Sequence, residues 1–211
     1  MQKFVLLNGP PRVGKNTAAK ILKENLPSCA VVGFSHYLKR FVHSIYLGRR
    51  GWDLDPDAFD AVKSIPQDCL GGMTWRQAYI YYSENVIKVL HGKEWFGRKF
   101  LELAQSHVQK VIAVSDSGFR EESEAVIRHA GPTNVLLVRL HADGHTFEGD
   151  SRSYIDLTDL GVRVIDIENN STIEYLQKRL LLWANHFIAG TLDDAIFGIR
   201  IVDQEIFGAA E

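Results

Sequence analysis

The chain has 211 residues, of which 45% are hydrophobic and 24% charged, and these fractions are typical of one globular domain with a single core. The formal net charge of -2 gives no overall attraction to nucleic acid or to an anionic membrane, so neither is expected as a partner. Two cysteines argue against a disulfide framework, and the apolar runs are too short for a signal peptide or a membrane span, so we expect a cytoplasmic protein.

Short apolar runs alternate with helical periodicity along the chain. The runs predict strands at residues 4–7, 30–34, 111–114, 135–140 and 162–167. The helical spacing predicts helices at residues 17–26, 36–47, 58–63, 74–90, 93–109, 121–129 and 172–183. This alternation predicts an α/β fold of three layers, in which a parallel sheet of about five strands carries helices on both faces.

We expect a single domain over residues 1–211. Its core comprises residues 1–35 and 108–184, and the helices at about 36–107 form an insertion between the second and third strands. The polar segment at about 141–159 is expected to be a mobile loop. The tail at 185–211 has no clear periodicity and receives no functional interpretation.

The first strand leads into the sequence Gly-Pro-Pro-Arg-Val-Gly-Lys-Asn-Thr. Its Gly-x-x-x-x-Gly-Lys core is the Walker A pattern, in which backbone N–H groups and the positive end of the next helix surround phosphate oxygens. Lys15 would bring a point charge to the transferring phosphoryl group. A plain glycine turn between strand and helix is the alternative. The expected nucleotide-binding residues of this loop are Gly9, Pro10, Arg12, Val13, Gly14, Lys15, Asn16 and Thr17.

The segment R-V-G-K-N-T resembles the R-S-G-K-D-T loop of phage-type deoxynucleoside monophosphate kinases, a branch of the P-loop nucleoside monophosphate kinases. Further segments resemble this family in the same order from Phe4 to about Leu180. The resemblance implies a P-loop kinase fold, ATP and Mg²⁺ as cofactors, and a helical insertion that binds the acceptor. It also implies that residues 141–159 form the lid. Asn16 stands where the strict motif has a hydroxyl residue, so Thr17 is the expected magnesium ligand.

Two segments of the insertion resemble parts of the family that lie beside the acceptor phosphate. The sequence G-F-S-H-Y-L-K is similar to F-A-D-P-L-K, which implies that Lys39 neutralises this phosphate, with a solvated lysine as the alternative. The sequence T-W-R-Q resembles T-P-R-E, which implies that Arg76 is a phosphate ligand. A planar guanidinium suits a phosphate better than an ammonium does.

The sequence S-E-N-V-I-K resembles G-T-E-x-x-R on the same predicted helix. This implies that Glu84 and Lys88 lie on a substrate-facing edge of that helix. Because the two residues are four positions apart, an ordinary surface ion pair is the alternative.

The sequence V-S-D-S-G-F-R-E-E resembles V-S-D-V-R-F-P-N-E. It implies that Asp116, at the end of an interior strand, holds magnesium or its waters. A cap of the helix that follows is the alternative. The arginine that the family carries after this aspartate is replaced by Gly118, and Arg120 is expected to supply the guanidinium instead.

Two later segments complete the resemblance. Arg152 is the expected charge carrier of the lid, which has to exclude water from the triphosphate, with a solvated loop arginine as the alternative. The sequence I-E-N-N-S-T resembles the turn I-x-N-x-G-[ST] that borders the donor adenine, which implies that Asn169 and Asn170 lie there. A strand-to-helix turn with polar caps is the alternative.

These residues together predict a transfer of the γ-phosphoryl group of ATP to the phosphate of a (deoxy)nucleoside monophosphate. Two alternatives remain: a P-loop kinase of another small acceptor, such as dephospho-coenzyme A or a sugar, and a non-catalytic nucleotide-binding regulator. Small-molecule nucleotides are the expected partners, and a homodimer is left open. The expected catalytic residues are Lys15, Arg12, Asp116, Arg120 and Arg152.

Overall fold

A computed structural model describes residues 1–192, and its centre is a five-stranded sheet in the order β2-β3-β1-β4-β5. All neighbouring strands are parallel. The predicted α/β fold with a parallel sheet of about five strands is confirmed. The strands are β1 (Lys3–Asn8), β2 (Cys29–Val31), β3 (Val111–Ser117), β4 (Val135–His141) and β5 (Arg163–Glu168).

The helices lie on both faces of this sheet and in an insertion between β2 and β3. They are α1 (Lys15–Asn25), α2 (His36–Leu47), α3 (Arg49–Asp53), α4 (Trp75–Tyr82), α5 (Lys88–His91), α6 (Trp95–Ser106), α7 (Arg120–Ala130) and α8 (Ile173–Ala189). Helices α1 and α8 pack on one face, and α6 and α7 pack on the other. No helix within residues 1–192 is long and apolar enough to cross a membrane.

Strand β1 is apolar from Phe4 to Leu7 because both of its faces are buried. Its side chains alternate between the two cores: Val5 and Leu7 pack with α1 and α8, whereas Phe4 and Leu6 pack with α6 and α7. Because helices cover both faces of the sheet, both sets of side chains are buried.

The insertion has an aromatic core of its own. Trp75 is 1% exposed, and its ring stacks on Phe59 with centroids 4.4 Å apart. The fully buried His43 pairs through Nε2 with the hydroxyl of Tyr79 at 2.7 Å. The start of α4, which carries Arg76, is therefore supported by a packed aromatic core.

Four element boundaries differ from the prediction. The helix expected near residues 58–63 is wrong, since that segment is a run of turns, and α3 lies earlier in the chain. The helix expected at residues 74–90 consists of α4 and α5 joined by a π-helical turn, Ser83–Ile87. The helix expected at residues 93–109 is the shorter α6. Strand β3 continues to Ser117, so Asp116 belongs to the strand.

The last helix is also longer than predicted. Helix α8 continues to Ala189, because Leu180, Trp183, Ala184 and Phe187 keep the helical period and are buried. The tail expected from residue 185 therefore begins inside this helix. Its residues 193–211 lie outside the described residues.

Asn8, at the end of β1, anchors the far end of the predicted lid. Its buried amide donates to the carbonyl oxygens of Ser117 (2.9 Å) and Ser153 (3.0 Å), and its Oδ1 accepts from the N–H of Ile155 (3.2 Å). Ile155 and Leu157 are buried in the core beneath. From Ser153 onward the segment expected at 141–159 is therefore tied to the end of β1 and to the core, although several of its side chains remain exposed.

We predict that Phe100→Ala lowers the free energy of unfolding by about 3–5 kcal/mol, because it removes a large ring from a closed core. The Phe100 side chain is 1% exposed, and its centroid lies 4.8 Å from that of Phe34 and 6.0 Å from that of Phe4. Urea unfolding measures the change. Val108→Ala, at a side chain that is 90% exposed, is the control and should stay within about 0.5 kcal/mol of the parent.

Candidate functional site

The loop between β1 and α1 requires glycine at two positions. Gly9 has φ 148°, and a β-carbon there would lie 2.7 Å from the carbonyl oxygen of Leu140 and 2.8 Å from Val13 Cγ1. Gly14 has φ 103°, and a β-carbon there would lie 2.5 Å from Asn169 Nδ2. Both positions combine a left-handed backbone with a close neighbour, so the glycines of the pattern are structurally necessary.

Lys15 is the first residue of α1 and is 8% exposed. Its ammonium donates to the carbonyl oxygens of Gly9 and Pro10, both at 2.6 Å, so the side chain folds back over the loop. Burial, and after it the charge of Arg152, lower the pKa of this ammonium to about 8, against the opposing charges of Asp150 and Asp116. The lysine therefore stands in a site that favours an added anion.

The first turn of α1 is open towards the same space. Gly14 is its N-cap, and within residues 1–192 no side chain caps this helix end. Asn16 and Thr17 follow Lys15 and are both exposed. The N–H groups of a first helical turn point outward along the axis, so this helix end presents donors and a positive dipole.

Asn169 fastens the loop to the end of β5. Its Nδ2 donates to the carbonyl oxygen of Val13 at 2.9 Å, and its backbone N–H donates to that of His141 at 2.7 Å. The neighbouring Asn170 accepts from the N–H of Asp143 at 2.8 Å. Asn169 thus supports the loop directly, and Asn170 contacts the segment after β4. Their contact with an adenine stays a prediction.

Asp116 holds the turn that leads into α2. Its Oδ1 accepts from the N–H of Phe34 at 2.8 Å, and its Oδ2 accepts from the N–H (2.9 Å) and the hydroxyl (2.6 Å) of Ser35. The alternative role as a cap of the following helix is wrong, because the N-cap of α7 is Phe119 and carries no side-chain hydrogen bond. The negative charge of Asp116 acts on Lys15 and opposes the lowering of the lysine's pKa.

Arg152 lies in the place where Gly118 lacks a side chain. A β-carbon on Gly118 would collide with Arg152 Cδ, and it would lie 2.6 Å from Cγ and 2.9 Å from Cβ. The guanidinium binds Asp150 as a fork, with Nε 2.8 Å from Oδ1 and Nη2 2.6 Å from Oδ2. This bonding, with a smaller contribution from the charge of Arg76, lowers the pKa of Asp150 to about 2.

Arg76 faces the same carboxylate from the insertion. It is the second residue of α4, and its Nη1 lies 4.0 Å from Asp150 Oδ2. The capping box of Thr74 and Gln77 fixes the start of this helix. Of the predicted residues, the structure thus brings together Lys15, Arg76, Arg152 and Asp116.

Two of the predicted arginines are not part of this group. Arg120 donates to Asp159 (3.0 and 2.6 Å) and to Glu124 (2.8 Å), so it connects α7 to the last residue of the predicted lid. Arg12 is exposed and has φ 65°. Arg120 is thus engaged elsewhere, and Arg152 is the arginine beside Gly118.

Three predicted acceptor residues form ion pairs within the insertion. Lys39 binds Asp57 (2.5 Å) and Asp60 (3.0 Å), and these carboxylates outweigh the effect of burial and raise its pKa. Glu84 and Lys88 form the expected i, i+4 pair at 2.7 Å. The Lys88 ammonium also lies 3.5 Å from the ring centroid of Phe119, the N-cap residue of α7.

Three residues of the site escaped sequence reasoning. Asn8 carried a signal, since it is the polar end of an otherwise apolar strand. Asp150 carried none, because it is one acid in a polar loop. Glu122 is 4% exposed, and its burial, followed by the charge of Asp116, raises its pKa; a Glu-Glu pair at a helix start looks like a solvated first turn.

No family model and no curated protein matches this chain. Among solved structures, it is similar to a sugar kinase from a Janibacter species, with 14% identity and a TM-score of 0.39 over 88% of this chain and 95% of that one. A gluconokinase from Sinorhizobium meliloti has 12% identity and a TM-score of 0.41 over 93% and 97%. A thymidylate kinase from Candida albicans has 12% identity and a TM-score of 0.42 over 90% and 93%. At these distances the acceptor has to be inferred from the residues of this chain.

Proposed function

We propose that this chain is a P-loop kinase that transfers the γ-phosphoryl group of ATP to the phosphate of a (deoxy)nucleoside monophosphate. One observation carries the proposal. Arg152 from the lid and Arg76 from the insertion lie at a single carboxylate, Asp150, and the charges of Arg152 and Asp150 both act on the pKa of the loop lysine, Lys15. Cations that come from the donor loop, the lid and an acceptor-side helix suit a phosphoryl group in transit between two phosphates.

An acceptor that is already an anion fits this charge pattern best. A sugar hydroxyl has to lose its proton to a base during attack, whereas the phosphate of a nucleotide is itself the nucleophile. Asp116 is the best candidate for such a base in this site. Its oxygens, however, already accept three hydrogen bonds from Phe34 and Ser35. Arg76 adds a phosphate-binding fork on the acceptor side. A sugar acceptor is therefore the second choice.

The hydroxyl and carboxylate oxygens near the loop are ligands that suit Mg²⁺. Within residues 1–192 no cluster of three or more His, Cys, Asp or Glu side chains forms a metal cage. Mg²⁺ beside a triphosphate needs few protein ligands, since phosphate oxygens and waters supply the others. Thr17 would hold it directly, and Asp116, whose oxygens already accept three hydrogen bonds, would hold it through water. When bound, it would neutralise charge on the β- and γ-phosphates.

The other residues take supporting roles in the proposal. Backbone N–H groups of the loop would hold the donor phosphates, and Arg152 would offset the charge that develops during transfer. Asn169 keeps the loop in shape through Val13 and, with Asn170, would border the adenine. Lys39, Glu84 and Lys88 would line the acceptor side.

Lys15→Ala should remove at least about 3 kcal/mol of transition-state stabilisation, more than a hundredfold in kcat/KM, because a buried charge on the reacting group is lost. The measurement is ADP formation with Mg-ATP across a panel of ribo- and deoxynucleoside monophosphates. Lys20→Ala, at an exposed lysine of the same helix, is the matched control and should keep full activity. Absence of turnover on the whole panel would reject the nucleoside monophosphate kinase assignment, and tight ATP binding without turnover on these or on sugars would favour the regulatory alternative.

Binding of a triphosphate should weaken as the pH rises through about 8, the pKa of Lys15 in the free protein. A bound anion favours the ammonium and raises this pKa, so affinity is full below the free value and falls above it. The loss reaches at most about tenfold per pH unit, measured by calorimetry between about pH 7.5 and pH 9.5. Lys15→Ala should lack this dependence, and an equal slope in both proteins would contradict the assignment to Lys15.

Thr17→Ala should lower kcat about tenfold or more if its hydroxyl holds magnesium, because a ligand of the charge-neutralising ion is lost. Thr17→Ser retains the hydroxyl and should retain the activity. Asn16→Ala, at the adjacent exposed position, separates the two candidates: a larger loss there than at Thr17 would assign the role to Asn16. Titration of kcat against free Mg²⁺ gives the comparison.

A further inference from the structure

Asp150 is the feature of this site that a kinase mechanism does not require. Its side chain is 9% exposed, and its two oxygens fill the guanidinium fork of Arg152. Arg76 lies 4.0 Å away on a different segment, 41% exposed. Within residues 1–192 the Arg76 guanidinium donates no hydrogen bond at all. The Asp150 carboxylate thus lies between Arg152, which donates two side-chain hydrogen bonds to it, and Arg76, which donates none.

This geometry is that of an anion site occupied from within the chain. An arginine fork binds carboxylate and phosphate oxygens in the same way, by two parallel N–H···O bonds. The stem of Arg152 occupies the space beside Gly118, a packing contact that is independent of Asp150. The capping box of Thr74 and Gln77 fixes the backbone from which Arg76 extends. Each arginine therefore has a structural support other than Asp150, and the carboxylate is the member that can leave.

Asp150 also has the means to leave. It follows Gly149, which has φ +71°, and it precedes the anchor at Ser153. The backbone hydrogen bond to its carboxylate, from the N–H of Arg152 at 3.0 Å, is a local turn that reforms readily. Among the described residues, the hydrogen bonds to its side chain all come from Arg152.

We propose that Asp150 is a built-in competitor that occupies the binding subsite of the acceptor's phosphate between Arg76 and Arg152. The inference rests on the proposed function, since it takes a substrate phosphate as the anion that displaces the carboxylate. A phosphate brings more charge and more acceptor oxygens than a carboxylate and can bind both arginines together. In the empty protein, Asp150 keeps the arginines paired and excludes weaker anions.

The test is the affinity for inorganic phosphate, measured by calorimetry on the full chain without ATP or magnesium. Asp150→Asn frees both guanidinium groups and should bind phosphate at least about fivefold more tightly than the parent. Asp143→Asn removes the same charge from an exposed position of the same segment and should leave the affinity unchanged. Asp150→Ser is a second way to remove the carboxylate, and circular dichroism verifies that each variant is folded.

The gain should also depend on Arg76. In the double variant Asp150→Asn with Arg76→Gln, the extra affinity should disappear, because one side of the subsite is missing. Unchanged or weaker phosphate binding in folded Asp150→Asn and Asp150→Ser would overturn the proposal and make Asp150 a support of Arg152. A gain that survives Arg76→Gln would also overturn it, since phosphate would then bind elsewhere. These outcomes involve no turnover, so a failed kinase assay leaves them readable.

Discussion

The site depends on a backbone path in which two residues have no room for a β-carbon. Gly9 approaches the carbonyl oxygen of Leu140, and Gly14 approaches the amide of Asn169, each in a conformation that other residues avoid. This path turns the loop back on itself, so that Lys15 starts α1 and still reaches the carbonyl oxygens at the loop's beginning. The sheet supports the arrangement, because the strand ends that contact the loop belong to neighbours in one parallel layer.

A second constraint is the balance of charge at that edge of the sheet. Three segments that are distant in sequence bring cations to it, and such a group is unstable unless anions lie among them. Asp116 and Asp150 provide this compensation in different ways. Asp116 is held by three hydrogen bonds from Phe34 and Ser35 and belongs to the frame. Asp150 is held chiefly by Arg152 itself. The first is a fixed counter-charge and the second an exchangeable one.

The sequence was sufficient for the features that depend on local pattern. Apolar runs gave the strands and their parallel arrangement, and the Gly-x-x-x-x-Gly-Lys spacing gave the loop, because each is specified by neighbouring residues. Contacts between distant segments could not be predicted in this way. Arg120 looked like the catalytic arginine by position, yet Glu124 one turn later and Asp159 at the end of the predicted lid bind it instead. The role of Asn169 as a support of Val13 likewise joins residues from opposite ends of the domain.

Because position 118 is glycine, the positive charge beside it is carried by Arg152 instead of by a residue of the strand end. An arginine at position 118 would lie at the end of β3 and would be fixed by the sheet. Here the space at Gly118 is filled by the stem of Arg152, whose backbone belongs to the lid. The position of this charge is therefore linked to the position of the lid, as a charge on the strand would not be. Any movement of the segment before Ser153 would move the guanidinium with it, so in the proposed kinase the closing of a lid and the completion of the site's charge would be a single event.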